Sequence, residues 1–262
     1  MSSTNHDVQG AENATVANIR NKPKKQIQEV NRHFVNQIFN EDCFIGMSKI
    51  PDNSIPLILT DIPYGEVNRP TSGIRVFDKK DADIVNFNLS KLVDEFARVC
   101  SGSMYIFCGF EQISELKVLL VKNGYTVRLG IWEKSNPTPV NGQHMWLSGV
   151  EACIYARKKG ATFNERCKNT VWRYPVGRSK KHPTEKPLAL IERLLLASSN
   201  AGDLVLDPFM GSGTTAHACI NHGRNYIGFE LNGDFYKIIN ERLLPLKAHK
   251  ESQNEVPALI AA

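Results

Sequence analysis

Asp203-Leu204-Val205-Leu206-Asp207-Pro208-Phe209-Met210-Gly211-Ser212-Gly213-Thr214-Thr215 decides the fold of this chain. The apolar run reads as a buried strand, and Gly211 and Gly213 as a tight turn. Ala216-His217-Ala218-Cys219-Ile220 then opens a helix. A strand, a glycine turn and a helix in that order leave backbone amides free at the helix N-terminus, facing whatever sits beyond the strand. Far upstream, Asp61-Ile62-Pro63-Tyr64 stands at the end of another apolar strand, Ile55 to Thr60. The two strand ends are expected to form one active site.

The chain between and around them alternates strand and helix patterns. A short strand over Phe34 to Phe39 leads to Asp42-Cys43 and a helix through Ile45 to Ile50. Helices over Leu89 to Val99 and Glu111 to Asn123 alternate with strands over Met104 to Cys108 and Tyr125 to Glu133. Glu151 to Ala156 reads as one more strand. After the glycine turn, Tyr226-Ile227-Gly228-Phe229 leads to Glu230, and Asp234 to Leu246 makes a last helix. Near-continuous hydrophobicity in Ile55 to Thr60 fits an interior strand of a parallel sheet. The expected fold is α/β, a doubly wound, mostly parallel sheet.

The 262 residues suit one sizeable domain, placed here at 33–246. Its catalytic half is 33–156, a basic segment fills 157–181, and a cofactor half runs from 182 to 246. Residues 1–32 read as a flexible polar leader and 247–262 as a C-terminal tail. With 42% hydrophobic and 23% charged residues the composition is that of an ordinary globular protein. No apolar run approaches the roughly 20 residues that span a bilayer, and no secretory signal pattern opens the chain. Six scattered cysteines without a Cys-x-x-Cys pair read as reduced thiols of a cytoplasmic protein, with no metal site expected. The net charge of +5 is mild, but residues 157–186 hold ten Lys or Arg against Glu165 and Glu185.

In an open parallel sheet, ligands bind beyond the carboxyl ends of the strands. Asp42, Asp61, Asp207 and Glu230 all fall there. The turn at Gly211 lacks the Lys that a phosphate loop needs after its last glycine, and position 216 is Ala where a dinucleotide turn wants Gly. Glu230, one strand later, suits a ribose diol. A nucleoside cofactor ending in a carboxylate fits this set, which describes S-adenosylmethionine. Asp61 and the Ile62 carbonyl offer two acceptors for a planar amine, and Tyr64 a ring for stacking on an extruded base. Pro63 restricts Ile62 to extended backbone and so fixes that carbonyl.

With these residues the chain resembles the DNA amino-methyltransferases of the beta group, which methylate an exocyclic nitrogen of adenine or cytosine. That family's (Asp/Asn/Ser)-Pro-Pro-(Tyr/Phe/Trp) tetrapeptide is matched by Asp61-Ile62-Pro63-Tyr64 except at Ile62. Its His-Pro-Thr-x-Lys-Pro motif is matched by His182-Pro183-Thr184-Glu185-Lys186-Pro187, and its cofactor turn by Asp207 to Thr215. The Asp42-Cys43 strand end and Trp132-Glu133-Lys134-Ser135-Asn136-Pro137 are also similar. The resemblance spans roughly residues 34 to 245 and implies a Rossmann-like methyltransferase fold with a small basic DNA-recognition insertion.

By that resemblance Asp42, Cys43 and Glu230 lie at the adenosine part of S-adenosylmethionine. Thr184, Lys186, Ser212, Gly213 and Thr214 surround its methionine part, and Asp207, Phe209 and Gly211 shape the pocket. Asp61 and Ile62 accept from the target amine, Pro63 shapes the turn, and Tyr64 stacks on a flipped base. Ile62 replaces a proline whose ring would pre-set the backbone, so a less rigid turn is expected. Asp at position 61 favours adenine N6; cytosine N4 is the alternative, followed by an RNA methyltransferase and a non-catalytic nucleic-acid-binding homologue. A cytosine-C5 enzyme would carry a Pro-Cys nucleophile, which this chain lacks. Double-stranded DNA is the implied partner, with Arg69, Arg75, Lys158, Lys159, Lys168, Arg173, Arg178, Lys180 and Lys181 on its phosphates. Trp172 is either a stacking wedge or core. The short recognition region is compatible with a homodimer, and the family with a restriction endonuclease encoded separately.

Overall fold

The computed structural model describes residues 30, 32–64, 87–139, 142–177 and 185–254. Its strands are β1 (Gln37–Phe39), β2 (Ile55–Asp61), β3 (Cys100–Cys108), β4 (Thr126–Lys134), β5 (Val150–Arg157), β6 (Val171–Tyr174), β7 (Leu204–Asp207) and β8 (Asn225–Phe229). Its helices are α1 (Cys43–Ser48), α2 (Leu89–Val99), α3 (Ile113–Lys122), α4 (Leu188–Ser198), α5 (Thr214–Asn221) and α6 (Gly233–Asn254). All eight strands form one sheet in the order β1-β8-β7-β2-β3-β5-β4-β6. Every pairing is parallel except those of β5, which runs antiparallel between β3 and β4. The fold is the mostly parallel, doubly wound α/β sheet.

Apolar residues on both strand faces require two covering layers. Side chains alternate along a strand, so Ile58 enters one core while Leu57 and Leu59 enter the other. The first core holds Met47, Leu92, Phe96, Leu116 and Leu120 from α1, α2 and α3. The second holds Leu190, Leu194, Cys219, Ile239 and Leu243 from α4, α5 and α6. Each fully buried Leu or Ile contributes about 1.5–3 kcal/mol, so both faces are strongly specified.

The strand order locates the site. After β2 the chain works outward through β3 to β6, then returns to lay β7 on the other side of β2. The β2/β7 pair is therefore the topological switch point, where the crevice beyond the strand ends opens. Asp61 and Asp207 are the last residues of those two strands.

Two differences from the sequence expectations, and the choice left open at Trp172, have physical reasons. The basic segment contains β6, whose Val171-Trp172-Arg173-Tyr174 pairs with β4; the flanking charge hid a short alternating pattern. Trp172 is 5% exposed, and its ring occupies the space beside Gly130 that a Cβ would fill. It is core, not a wedge. The last helix continues past 246 to Asn254 despite Pro245, so the boundary set at 247 falls inside α6. The expected leader lies outside the described residues apart from Val30, which is buried, and Arg32.

Candidate active site

At the glycine turn the local sequence dictates the geometry. Gly211 and Gly213 both take positive φ, at 51° and 79°. A Cβ on Gly213 would also lie 2.9 Å from Ile239 Cγ2, so α6 packs where a side chain would go. Glu230 closes the turn from β8: its Oε2 accepts from the Gly211 amide and its Oε1 from the Asn232 amide, each at 2.8 Å. Burial raises the Glu230 carboxyl, and those two amides pull it part of the way back. Asp207 accepts from the Thr60 hydroxyl at 2.8 Å and the Phe209 amide at 3.2 Å. Burial pushes its carboxyl up to about 7.

Asp42 caps α1 by accepting from the amides of Phe44 and Ile45. Cys43 beside it is buried, and its thiol is pushed up to about 12 by burial and by Asp42, which suits a lining residue rather than a nucleophile. Glu185 ties the segment before α4 to the turn, 2.7 Å from Arg242 on α6 and within reach of the Thr214 hydroxyl.

The turn from Asp61 to Tyr64 is held from several sides. Ile62 is buried in the first core, and its N–H donates to the Phe107 carbonyl at 3.1 Å. That bond extends the sheet one residue past Asp61 and fixes the Ile62 backbone at a position where the family pattern has a proline ring. Gln112 donates to the Pro63 carbonyl at 3.0 Å and accepts from the Gly109 amide at 2.9 Å. The Tyr64 hydroxyl donates to Asp61 Oδ1, and Lys186 Nζ donates to Asp61 Oδ2. Lys186 thus meets the Asp61 turn, while also lining the cavity on which Ser212, Thr214 and Glu230 open. Burial raises the Asp61 carboxyl, with Lys186 opposing that rise and Glu151 adding to it.

One cavity of about 470 Å³ joins these parts. It is lined by Asp42, Cys43, Asp61, Ile62, Pro63, Lys186, Asp207, Phe209, Gly211, Ser212, Thr214 and Glu230, with Phe44, Met210, Leu231 and Phe235 among its apolar walls. Gly213 stands behind this wall against Ile239, and Tyr64 beside it against Gly109. Thr184 lies outside the described residues, as do Arg69, Arg75, Arg178, Lys180 and Lys181. Among the described residues no cluster of His, Cys, Asp and Glu could hold a metal ion, and no helix is long and apolar enough to cross a membrane.

The basic residues that are described divide between the two ends of the sheet. Arg173, 70% exposed, lies beside Glu133 at the Asp61 end. Lys158 lies at the opposite end, donating to Asn53 Oδ1 and the Cys100 carbonyl and sitting over the Tyr125 ring. It clamps the start of β3 and is turned away from the cavity; Lys159 follows it in the same turn, and Lys168 lies just before β6 on that side. Sequence reasoning missed Gln112, which reaches the Pro63 carbonyl from the 3-10 turn after β3, and Glu151 on β5, which lies 3.1 Å from Lys186 and is itself paired with Lys134 on β4. It also missed exposed apolar residues at the Asp61 end: Trp146 (97%), Phe110 (81%) and Met145 (65%). An exposed Trp beside a strand end was a signal that could have been read.

A mostly parallel sheet with a cavity at its switch point, bounded by Asp61 at one strand end and a glycine turn at the next, is the arrangement of nucleotide-binding α/β proteins. The family model described as DNA methylase, of the N6/N4 type, matches residues 55–241, and the chain belongs to that family. It is 32% identical to the type II methyltransferase M2.MboI of Moraxella bovis over 235 residues, covering 78% of this chain and 86% of that protein. The crystal structure of the M1.HpyAVI–SAM complex superposes with a TM-score of 0.62 at 31% identity, covering 79% of this chain and 99% of that one. The cytosine-N4-specific PvuII DNA methyltransferase shares the fold, with a TM-score of 0.62 at 15% identity over 82% of this chain and 92% of that one.

Proposed function

We propose that this protein methylates DNA at adenine N6 with S-adenosylmethionine as methyl donor. The observation that carries the reading is the single cavity on which both Asp61 and the glycine turn open. Its residues fit that cofactor. Glu230, fixed by two backbone amides, offers a carboxylate to a ribose diol beside the apolar walls Phe44, Phe209 and Leu231, which suit an adenine ring. The hydroxyls of Ser212 and Thr214 and the amides of the turn suit an amino-acid terminus, with Thr184 in the same role.

When bound, S-adenosylmethionine supplies a methyl group made electrophilic by its sulfonium. The chain contributes alignment and charge. Asp61 and the Ile62 carbonyl accept from the two N–H bonds of the amine and turn its lone pair toward the cofactor pocket. Positive charge growing on the nitrogen is then stabilised by a fixed carboxylate in a water-poor site. Tyr64, released from Asp61, stacks on the flipped base. Asp61 at the head of the tetrapeptide favours adenine over cytosine.

Double-stranded DNA approaches the Asp61 end of the sheet, where Arg173 meets phosphate and Trp146 offers an aromatic face. The reading includes a cytoplasmic protein, in keeping with six cysteines that form no disulfide, and is compatible with a homodimer and with a separately encoded restriction endonuclease. Methylated DNA digested to nucleosides and analysed by mass spectrometry tests it. N6-methyldeoxyadenosine is expected from the wild type and none from Asp61→Ala. N4-methyldeoxycytidine would overturn the choice of base, and equal product from both proteins would overturn the role of Asp61.

A further inference from the structure

Lys186 is 7% exposed, and two carboxylates claim its ammonium. Asp61 Oδ2 accepts from it, and Glu151 Oε2 lies 3.1 Å away on the other side. The faces of Phe107 and Tyr64 enclose the same nitrogen, with centroids at 5.2 Å and 5.3 Å. Glu151 Oε1 in turn stands 2.8 Å from Lys134 Nζ. This last contact follows from the sheet: Glu151 pairs with Trp132 across β4 and β5, and Lys134 is the next residue on the same face. Asp61, Lys186, Glu151 and Lys134 therefore form a row of alternating charge from the catalytic turn to the end of β4.

Both Asp61 oxygens are taken, one by Tyr64 and one by Lys186. An amine that docks on Asp61 competes with both of them for the same two oxygens. A lysine paired with Asp61 alone would then be stranded as a buried, uncompensated charge, which is strongly unfavourable. With Glu151 behind it, Lys186 can withdraw from Asp61 and stay paired. We propose that Glu151, held by Lys134, is a positioning residue for methyl transfer: it shares Lys186 with Asp61 so that Asp61 can be handed to the incoming amine. The proposal rests on the reading of Asp61 as the acceptor of that amine.

The charges around Asp61 give the proposal a signature that a structural role lacks. Asp61 is faced by Tyr64, Lys186 and Glu151, by the Asp207 carboxyl at the end of the adjacent β7, and by the protonated thiols of Cys108 and Cys153. Burial raises its carboxyl, Lys186 lowers it and Glu151 raises it further. Glu151 itself would be raised by burial, but Lys186 and Lys134 outweigh that and hold it below its ordinary value. Glu151→Gln therefore removes a repulsion and leaves Lys186 wholly to Asp61. The acid limb of the rate profile moves to lower pH, while the amine meets a tighter ion pair and kcat falls.

The experiment measures kcat against pH, at saturating DNA and S-adenosylmethionine, for wild type, Glu151→Gln, Lys134→Met and Asp61→Asn, with calorimetry of cofactor binding. For Glu151→Gln we expect kcat to fall by roughly tenfold to a hundredfold, the range a misplaced group costs. Its acid limb moves down and its cofactor affinity is unchanged. Lys134→Met lowers kcat by a smaller factor, and it decides the matter if Glu151→Gln melts below the assay temperature. An unchanged rate, an acid limb that stays or rises, or a loss confined to cofactor affinity overturns the proposal. If Asp61→Asn abolishes activity while Glu151→Gln does not reduce it, this proposal alone fails; if Asp61→Asn is as active as wild type, the reading beneath it fails too.

Discussion

The Thr60 hydroxyl donates to Asp207 Oδ1 across 2.8 Å, joining the last turns of the two strands that flank the topological switch. The bond crosses from the strand of the catalytic turn to the strand of the glycine turn. Asp207 is 4% exposed, and burial outweighs the donors from Thr215, Thr60 and Phe209, so its carboxyl rises from 3.8 to about 7.

That rise makes stability depend on pH with a definite sign. The native state holds the Asp207 proton more tightly than the unfolded chain does, so stability is lost as pH rises from 3.8 through about 7. Asp207→Asn keeps an oxygen for the Thr60 and Phe209 donors and removes the charge. The variant should flatten the fall in Tm over that range and gain on the order of 4 kcal/mol above it. Thermal melts of both proteins from pH 4 to pH 8 check this; parallel curves would refute it.

Glu230 holds the glycine turn and faces the cavity at once. Glu230→Ala frees the amides of Gly211 and Asn232 and removes the acidic side chain that β8 presents to the pocket. Two charge-assisted hydrogen bonds are lost, so S-adenosylmethionine affinity should drop by at least about tenfold. In the wild type, affinity should also weaken as pH falls through the raised titration of Glu230. Isothermal titration at several pH values measures both effects, and a variant that binds as wild type does would exclude Glu230 from the pocket's function.

The fold was legible because apolar strands and glycine turns are local signals. Ile55 to Thr60 and Leu204 to Leu206 announced interior strands, and Gly211 and Gly213 announced a turn whose positive φ the structure contains. What stayed hidden depends on contacts across the sheet. Glu151 lies 90 positions from Asp61 in the chain, and only the antiparallel β5 brings it to Lys186. Lys158 was read as a phosphate contact because charge in a sequence carries no direction, whereas the end of β5 turns it toward the start of β3. Trp172 was hidden by the same limit: the ring fits only because Gly130 faces it across β4 and β6.

The split of basic residues predicts unequal effects on DNA binding. Arg173→Ala should weaken binding and reduce the slope of log K against log salt by about one contact's worth. Lys158→Ala should leave that slope unchanged and instead lower Tm, because its donors to Asn53 and Cys100 are lost. Trp146→Ala should cost about 1–3 kcal/mol of DNA affinity with little change in salt slope, as expected for a stacking contact. Fluorescence anisotropy over a salt series separates the three. A Lys158→Ala slope that falls as far as that of Arg173→Ala would contradict the assignment of ends.

Ile62 offers the sharpest separation between family pattern and local chemistry. The family's tetrapeptide carries proline at that position, so restoring it by Ile62→Pro looks conservative. In this chain the Ile62 N–H donates to the Phe107 carbonyl at 3.1 Å, and the side chain is 1% exposed in the first core. Proline has no N–H to give, leaves that carbonyl unpaired and fills less of the core. Ile62→Pro should therefore destabilise the protein by about 1–3 kcal/mol. Ile62→Val keeps the N–H and should cost only about 0.5–1.5 kcal/mol. Urea denaturation of the three proteins decides the point: a proline variant as stable as wild type would mean that the backbone bond to Phe107 contributes nothing to holding the catalytic turn.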